Sequence, residues 1–222
     1  MPALDESFLL DCAAGTGPAA VRLLVECQTA LNRDAAAGFQ AVEAGLGGLL
    51  AGLPAAPMPQ GALDAVLARA AAPEEDVPPD QTVDPATGLP RVLSGYLERS
   101  HTGELDWSRR LGGVREIVLD AVSDATVEAS LVLLQPGSSI PHHDHRAEEL
   151  TLVLSGAFHD GHALYRKGDL CSAAPGMRHR PAVQGDVPCI CLTVSMGEWK
   201  PVNPLYGWAD RLTRPSRRRR ES

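Results

Sequence analysis

Aromatic residues are scarce in this sequence: three Phe, three Tyr and three Trp make up 4% of its 222 residues. A core built on stacked rings is thereby excluded, and the interior must come from Leu, Val, Ala and Ile. Positive charge is not in excess either. The balance is −8 at neutral pH, which argues against a general nucleic-acid coat protein, since such proteins present a basic face. It suits a soluble protein, or one that meets a basic partner. No apolar run approaches the roughly 20 residues of a membrane span. No basic segment followed by an apolar stretch opens the chain as a signal peptide would. A disulfide framework is also missing: Cys12, Cys27, Cys171, Cys189 and Cys191 are odd in number and scattered in spacing. That usage belongs to a reducing compartment. The expectation is a cytoplasmic protein with neither a membrane nor a nucleic-acid partner.

What is present divides the chain, whose length permits one large domain or two small ones. Residues 1–72 read as helical. Asp5 can cap a helix from Glu6 to Ala14 that Gly15 ends. Pro18 suits the first position of a longer helix carrying Val21, Leu24, Val25 and Leu31. A third run holds Phe39, Val42, Leu46, Leu49 and Leu50; its Gly45, Gly47 and Gly48 weaken an isolated helix but permit close helix packing. A fourth spans Gly61 to Ala72, with Leu63, Val66 and Leu67 on one face. Helices this short bury little area alone, so apolar surface should be left over for a partner. Residues 73–91 are rich in Pro and acidic side chains and read as a linker; an ordered loop of the following domain is the other reading.

From Val92 the pattern turns to period two. Candidate strands are Val114 to Asp120, Thr126 to Leu134, Glu149 to Ser155 and Cys189 to Val194. Turn signals separate them, among them Pro136-Gly137, Asp160-Gly161, Lys167-Gly168-Asp169 and Pro175-Gly176. Many short, evenly spaced strands predict a sandwich or barrel over residues 92–205. Residues 206–222 form a tail with a basic run, Arg217 to Arg220. The fold class is therefore α+β: a small helical domain followed by a β-sandwich or barrel.

Chemistry concentrates in PHHDHRAEE. His143 and His145 lie two apart, on one side of a strand, and Glu149 opens the next apolar run. His179 follows the turn at Pro175-Gly176. Three imidazoles and one carboxylate make a ligand set for zinc, and also for manganese, iron or nickel. The spacing is more telling than the residue types: Gly137, five residues, His143-x-His145, three residues, Glu149, six residues, Gly156; then Gly168, six residues, Pro175-Gly176-x-x-His179. His142, His159 and His162 read as exposed neighbours. Cys189-x-Cys191 places two thiols on one strand face, either as small core residues or as a redox-sensitive pair.

These two blocks resemble the paired motifs of the cupin superfamily, the second with its Pro one place from the commonest form. The resemblance implies a double-stranded β-helix barrel holding one divalent metal at His143, His145, Glu149 and His179. The run EELTLVLSGAFHDGHALYRKGDLCSAAPGMRHRP, then CICLTVS, is similar to the C-terminal domain of the ChrR family of anti-sigma factors. DESFLLDCAAGT, AVRLLVECQTALNRD and VEAGLGGLL resemble that family's helical domain. The resemblance implies a regulator whose helical domain wraps an extracytoplasmic-function (ECF-type) sigma factor, and whose cupin domain senses singlet oxygen or an organic peroxide. It also implies a second zinc, held by a His near the start and a His-x3-Cys-x2-Cys cluster. Here those positions are Ala3, Gln28, Asn32 and Ala35, so that zinc is expected to be absent. The competing expectation is enzymatic, a metal-dependent cupin dioxygenase or isomerase acting on a small molecule, with Tyr165 or His162 as acid or base.

Overall fold

The computed structural model describes residues 6–71, 82–97, 105–109, 114–145, 147–197 and 199–201; the side chains of Arg109, Asp144, His145, Trp199, Lys200 and Pro201 fall outside that description. Ala3, His101, residues 73–81 of the expected linker and the tail also lie outside it.

Four helices open the chain: α1 (Glu6–Ala13), α2 (Ala19–Leu31), α3 (Arg33–Ala51) and α4 (Ala62–Ala70). The punctuation acts as expected: Gly15, at φ 73°, follows α1, and Pro18 is the N-cap of α2. α3 runs unbroken through Gly38, Gly45, Gly47 and Gly48. Close packing was the expected use of the last three. Instead, a Cβ built on any of these glycines meets nothing within 4 Å.

Among the described residues twelve strands follow. They are β1 (Ser108–Arg109), β2 (Arg115–Val118), β3 (Glu128–Leu134), β4 (His143–His145), β5 (Glu149–Ser155), β6 (Ala157–His159), β7 (Leu164–Arg166), β8 (Leu170–Ala173), β9 (Arg178–His179), β10 (Ala182–Val183), β11 (Cys189–Ser195) and β12 (Trp199–Pro201). They form a six-stranded sheet, β1-β2-β3-β11-β5-β8, and two of three strands, β10-β6-β7 and β12-β4-β9. All pairings are antiparallel. Where β5 leaves β11 the register shifts between Ile190 and Cys191. Gly156 stands there at φ 72°, and a Cβ on it would lie 2.5 Å from the Pro188 carbonyl oxygen. Only glycine lets the chains approach so closely.

The central strands are buried on both faces. On β5, Leu150, Leu152 and Leu154 join one core cluster, which also holds Val21, Leu24 and Val25 of α2. Val153 joins a second cluster inside the barrel with Phe158, Tyr165, Cys171, Cys189 and Cys191. On β11, Leu192 and Val194 belong to the first cluster, and Cys189 and Cys191 to the second. α2 therefore covers the outer face of β11 and β5. Nine of the twelve largest fully buried side chains are Leu, and none is aromatic.

Helices and barrel thus share one core cluster. Residues 82–90 of the expected linker are ordered too: Val83 bridges to Pro90, and Leu89 is buried in the same cluster.

Candidate metal centre

Strand register builds the site. β4 and β9 pair so that His143 and His179 are direct cross-strand partners. Both are buried, and their Nε2 atoms stand 2.8 Å apart. The rings meet edge to face, centroids 4.4 Å apart at 63°. His143 Nδ1 lies 2.9 Å from the Pro141 carbonyl oxygen. A carbonyl only accepts, so the neutral ring carries its proton on Nδ1 and turns a lone pair inward at Nε2.

Glu149, the first residue of β5, supplies a carboxylate. Its Oε2 accepts from the Ser195 hydroxyl at 3.1 Å and its Oε1 from the Thr151 hydroxyl at 3.4 Å. Burial raises its pKa, and His143 with the two hydroxyls partly offsets that. One ligand atom from each of His143, Glu149 and His179 lies within 4.8 Å of the others. Two imidazole nitrogens about 2.05 Å from one metal stand about 3.3 Å apart in tetrahedral geometry and about 2.9 Å apart at a right angle. The observed 2.8 Å needs the rings to part by at most about half an ångström, so the donors fit a divalent metal. His145 lies two residues along β4, opposite Trp199, with its side chain outside the described atoms. Three of the four expected ligands are thus brought together.

Further polar groups surround this centre. Asp160, read only as a turn residue, does hold the turn: its Oδ1 accepts from the backbone N–H of His162 at 2.7 Å and of Ala163 at 2.8 Å. Its Oδ2 also accepts from the Tyr165 hydroxyl at 3.4 Å and lies 3.9 Å from Cys171 Sγ. Asp160, Cys171 and His179 form a second group with donors within 4.8 Å of one another. Burial pushes the Cys171 thiol up to about 11. Tyr165 stacks on Phe158 at 5.1 Å and is tied to Asp160 rather than open to a substrate. Cys189 and Cys191 share the barrel face, as expected, with sulfurs 3.6 Å apart. The hydrogen bond between them pulls the Cys189 thiol below its usual value and holds Cys191 well above its own. His142 and His162 are exposed and His159 half-buried; with Arg178, His179 and Arg180 they line a cleft of about 430 Å³.

Residues 98–197 match the model of the ChrR cupin-like domain. Over 192 residues the chain is 30% identical to the anti-sigma-E factor ChrR of Cereibacter sphaeroides, covering 86% of this chain and 88% of that protein. This chain belongs to the ChrR family of anti-sigma factors. The crystal structure of Rhodobacter sphaeroides SigE in complex with the anti-sigma ChrR superposes with a TM-score of 0.69 at 28% identity, covering 88% of this ChrR-family chain and 98% of that one. Two of the positions read as departures in the helical half have other uses here: Gln28 is buried, and Asn32 caps α3.

Proposed function

We propose that the chain is an anti-sigma factor that sequesters an ECF-type sigma factor and senses oxidative stress through a metal in its barrel. The observation that carries this reading is the α3–α4 pair. α3 has 19 residues and α4 has nine, and neither contributes a buried residue. Leu49 is 71% and Leu50 68% exposed, and Leu53, Met58, Leu63, Val66 and Leu67 are exposed with them. α1 and α2 pack on α3 and Phe39 reaches the core, but the apolar residues at the end of α3 and along α4 have nothing over them, as a surface awaiting a partner would. The similar ChrR was solved with SigE, and by that likeness the partner here is a sigma factor. An acidic chain suits a basic, polymerase-facing surface on it.

In this reading residues 1–72 hold the partner, 73–91 connect, and 92–205 sense. His143, His145, Glu149 and His179 hold one divalent metal, zinc in the first instance; the same donors serve manganese, iron or nickel. A bound metal supplies a cross-link between β4, β5 and β9, so ligand loss loosens the barrel. A partner that works on RNA polymerase puts the protein in the cytoplasm; among the described residues no helix is long and apolar enough to cross a membrane.

The test is purification of the whole chain from cells that also make the sigma factor, before and after a singlet-oxygen or organic-peroxide challenge. The sigma factor should co-purify beforehand and be released afterwards. Glu149→Ala should hold the partner and fail to release it. No co-purifying sigma factor, together with turnover of a small diketone by the iron-loaded protein, would replace the regulator with an enzyme.

A further inference from the structure

Asn32 occupies the corner where two helices meet the barrel. Its backbone N–H closes α2 on the Gln28 carbonyl at 2.8 Å. Its side-chain oxygen opens α3, accepting from the backbone N–H of Asp34 at 3.0 Å and of Ala35 at 3.1 Å. Its side-chain nitrogen donates away from the helices, to the Gly168 carbonyl at 3.3 Å. One amide is thus divided: its acceptor end starts a helix and its donor end holds a barrel turn.

That turn joins β7 to β8 and is pressed against the helix junction. Gly168 has φ +85°, and a Cβ on it would lie 3.2 Å from the Leu31 carbonyl oxygen and 3.5 Å from Asn32 Cβ. The turn is also bound to β5, since Gly168 donates to the Val153 carbonyl at 2.8 Å and Val153 to the Asp169 carbonyl at 3.0 Å. β5 begins at Glu149, and β8 carries Cys171. Continuous hydrogen bonding therefore runs from the strand that bears the barrel's buried carboxylate, through the turn and one side chain, to the first turn of α3.

We infer that Asn32 couples the barrel interior to the start of α3. The two-state element is the helix cap, made or unmade. A shift of β5 and β8 moves Gly168; Asn32 follows it or loses it, and the first turn of α3 opens or closes accordingly. By reciprocity, a partner seated on α3 tightens the turn. The coupling itself needs no partner. Its use in release rests on the reading of α3 as a partner surface, so the two are tested separately.

Amide hydrogen exchange on the full chain at Asp34, Ala35 and Ala36 provides the test. Asn32→Asp keeps the acceptor that caps α3 and loses the donor to Gly168. Glu149→Gln perturbs the barrel interior whether or not a metal is bound, and Cys171→Ser does the same should that variant fold poorly. The barrel substitution should change exchange at the three amides at least about threefold in the Asn32 background, and leave it unchanged in the Asn32→Asp background. An equal change in both backgrounds, or none in the first, overturns the inference. Neither result depends on sigma binding, which the co-purification test judges alone.

Discussion

The protonation of His143 is set by one atom, the Pro141 carbonyl oxygen 2.9 Å from Nδ1. With that proton held, Nε2 faces Nε2 of His179, and a divalent ion would replace a proton shared between two rings. Elemental analysis of the whole chain should find about one metal per protein, and His143→Ala should carry close to none. A second equivalent surviving in that variant would point to ligands in the helical half. Asp160 gives a pH prediction. Burial alone would raise its carboxyl, but the N–H groups of Ala163 and His162 and the charges of His162 and His179 hold it below its ordinary value of 3.8. A folded-state pKa below the unfolded one gives stability that is complete well above pH 4 and is lost as pH falls through the folded value. Asp160→Asn, which keeps an acceptor for the two N–H groups, should be less stable at pH 7 and show a shallower loss of stability below about pH 4 in denaturant titrations. Parallel acid curves would assign the acid sensitivity to other groups.

Among the elements, α3 is the one whose composition and surroundings disagree. Its glycines lie in right-handed helix with nothing over them, which costs roughly 0.5–1 kcal/mol each relative to Ala. Gly48→Ala should therefore raise stability in chemical denaturation by about that amount. If a sigma factor packs close to the bare backbone there, the same change should weaken binding in titration calorimetry, as should Leu50→Glu with stability changed by no more than about 0.5 kcal/mol. The long elements were legible in the sequence for reasons that held in the structure. Gly15 and Pro18 bracket α1 and α2, and Glu149 to Ser155 is β5 residue for residue. The short ones were not. β9 and β10 have two residues each, too few for any period, and β4 reads His-Asp-His, with no apolar phase at all. The site was legible because spacing between glycines survives where strand pattern fails. Asp160 escaped notice because it looked complete as a turn former, and spacing alone could not set Cys171 beside Asp160 and His179.

At the scale of the whole molecule, α2 makes the helices and the barrel share a core. Val21, Leu24 and Val25 pack with Leu150, Leu152, Leu192 and Val194. Leu24→Ala should cost about 2–5 kcal/mol, and the loss should appear in helix and barrel signals together. Calorimetry of the full chain should show one cooperative transition; two resolved transitions would mean that the halves fold independently. The sequence shows the apolar phases Leu150, Leu152, Leu154 and Ile190, Leu192, Val194, yet nothing in it said which element would cover them. The same economy of pattern has a consequence for assembly. β4 and β9 are joined by two rungs, His143 to His179 and Asp144 to Arg178, and so short a ladder barely distinguishes one alignment from its neighbours. The proposed ion, clamped across the first rung, would accept only one of them. A chain emerging into a cell supplied with that ion would close its barrel in a single alignment. A chain starved of it would divide its yield between the correct sheet and slipped copies, so the supply of metal during synthesis would set how much protein is born able to respond.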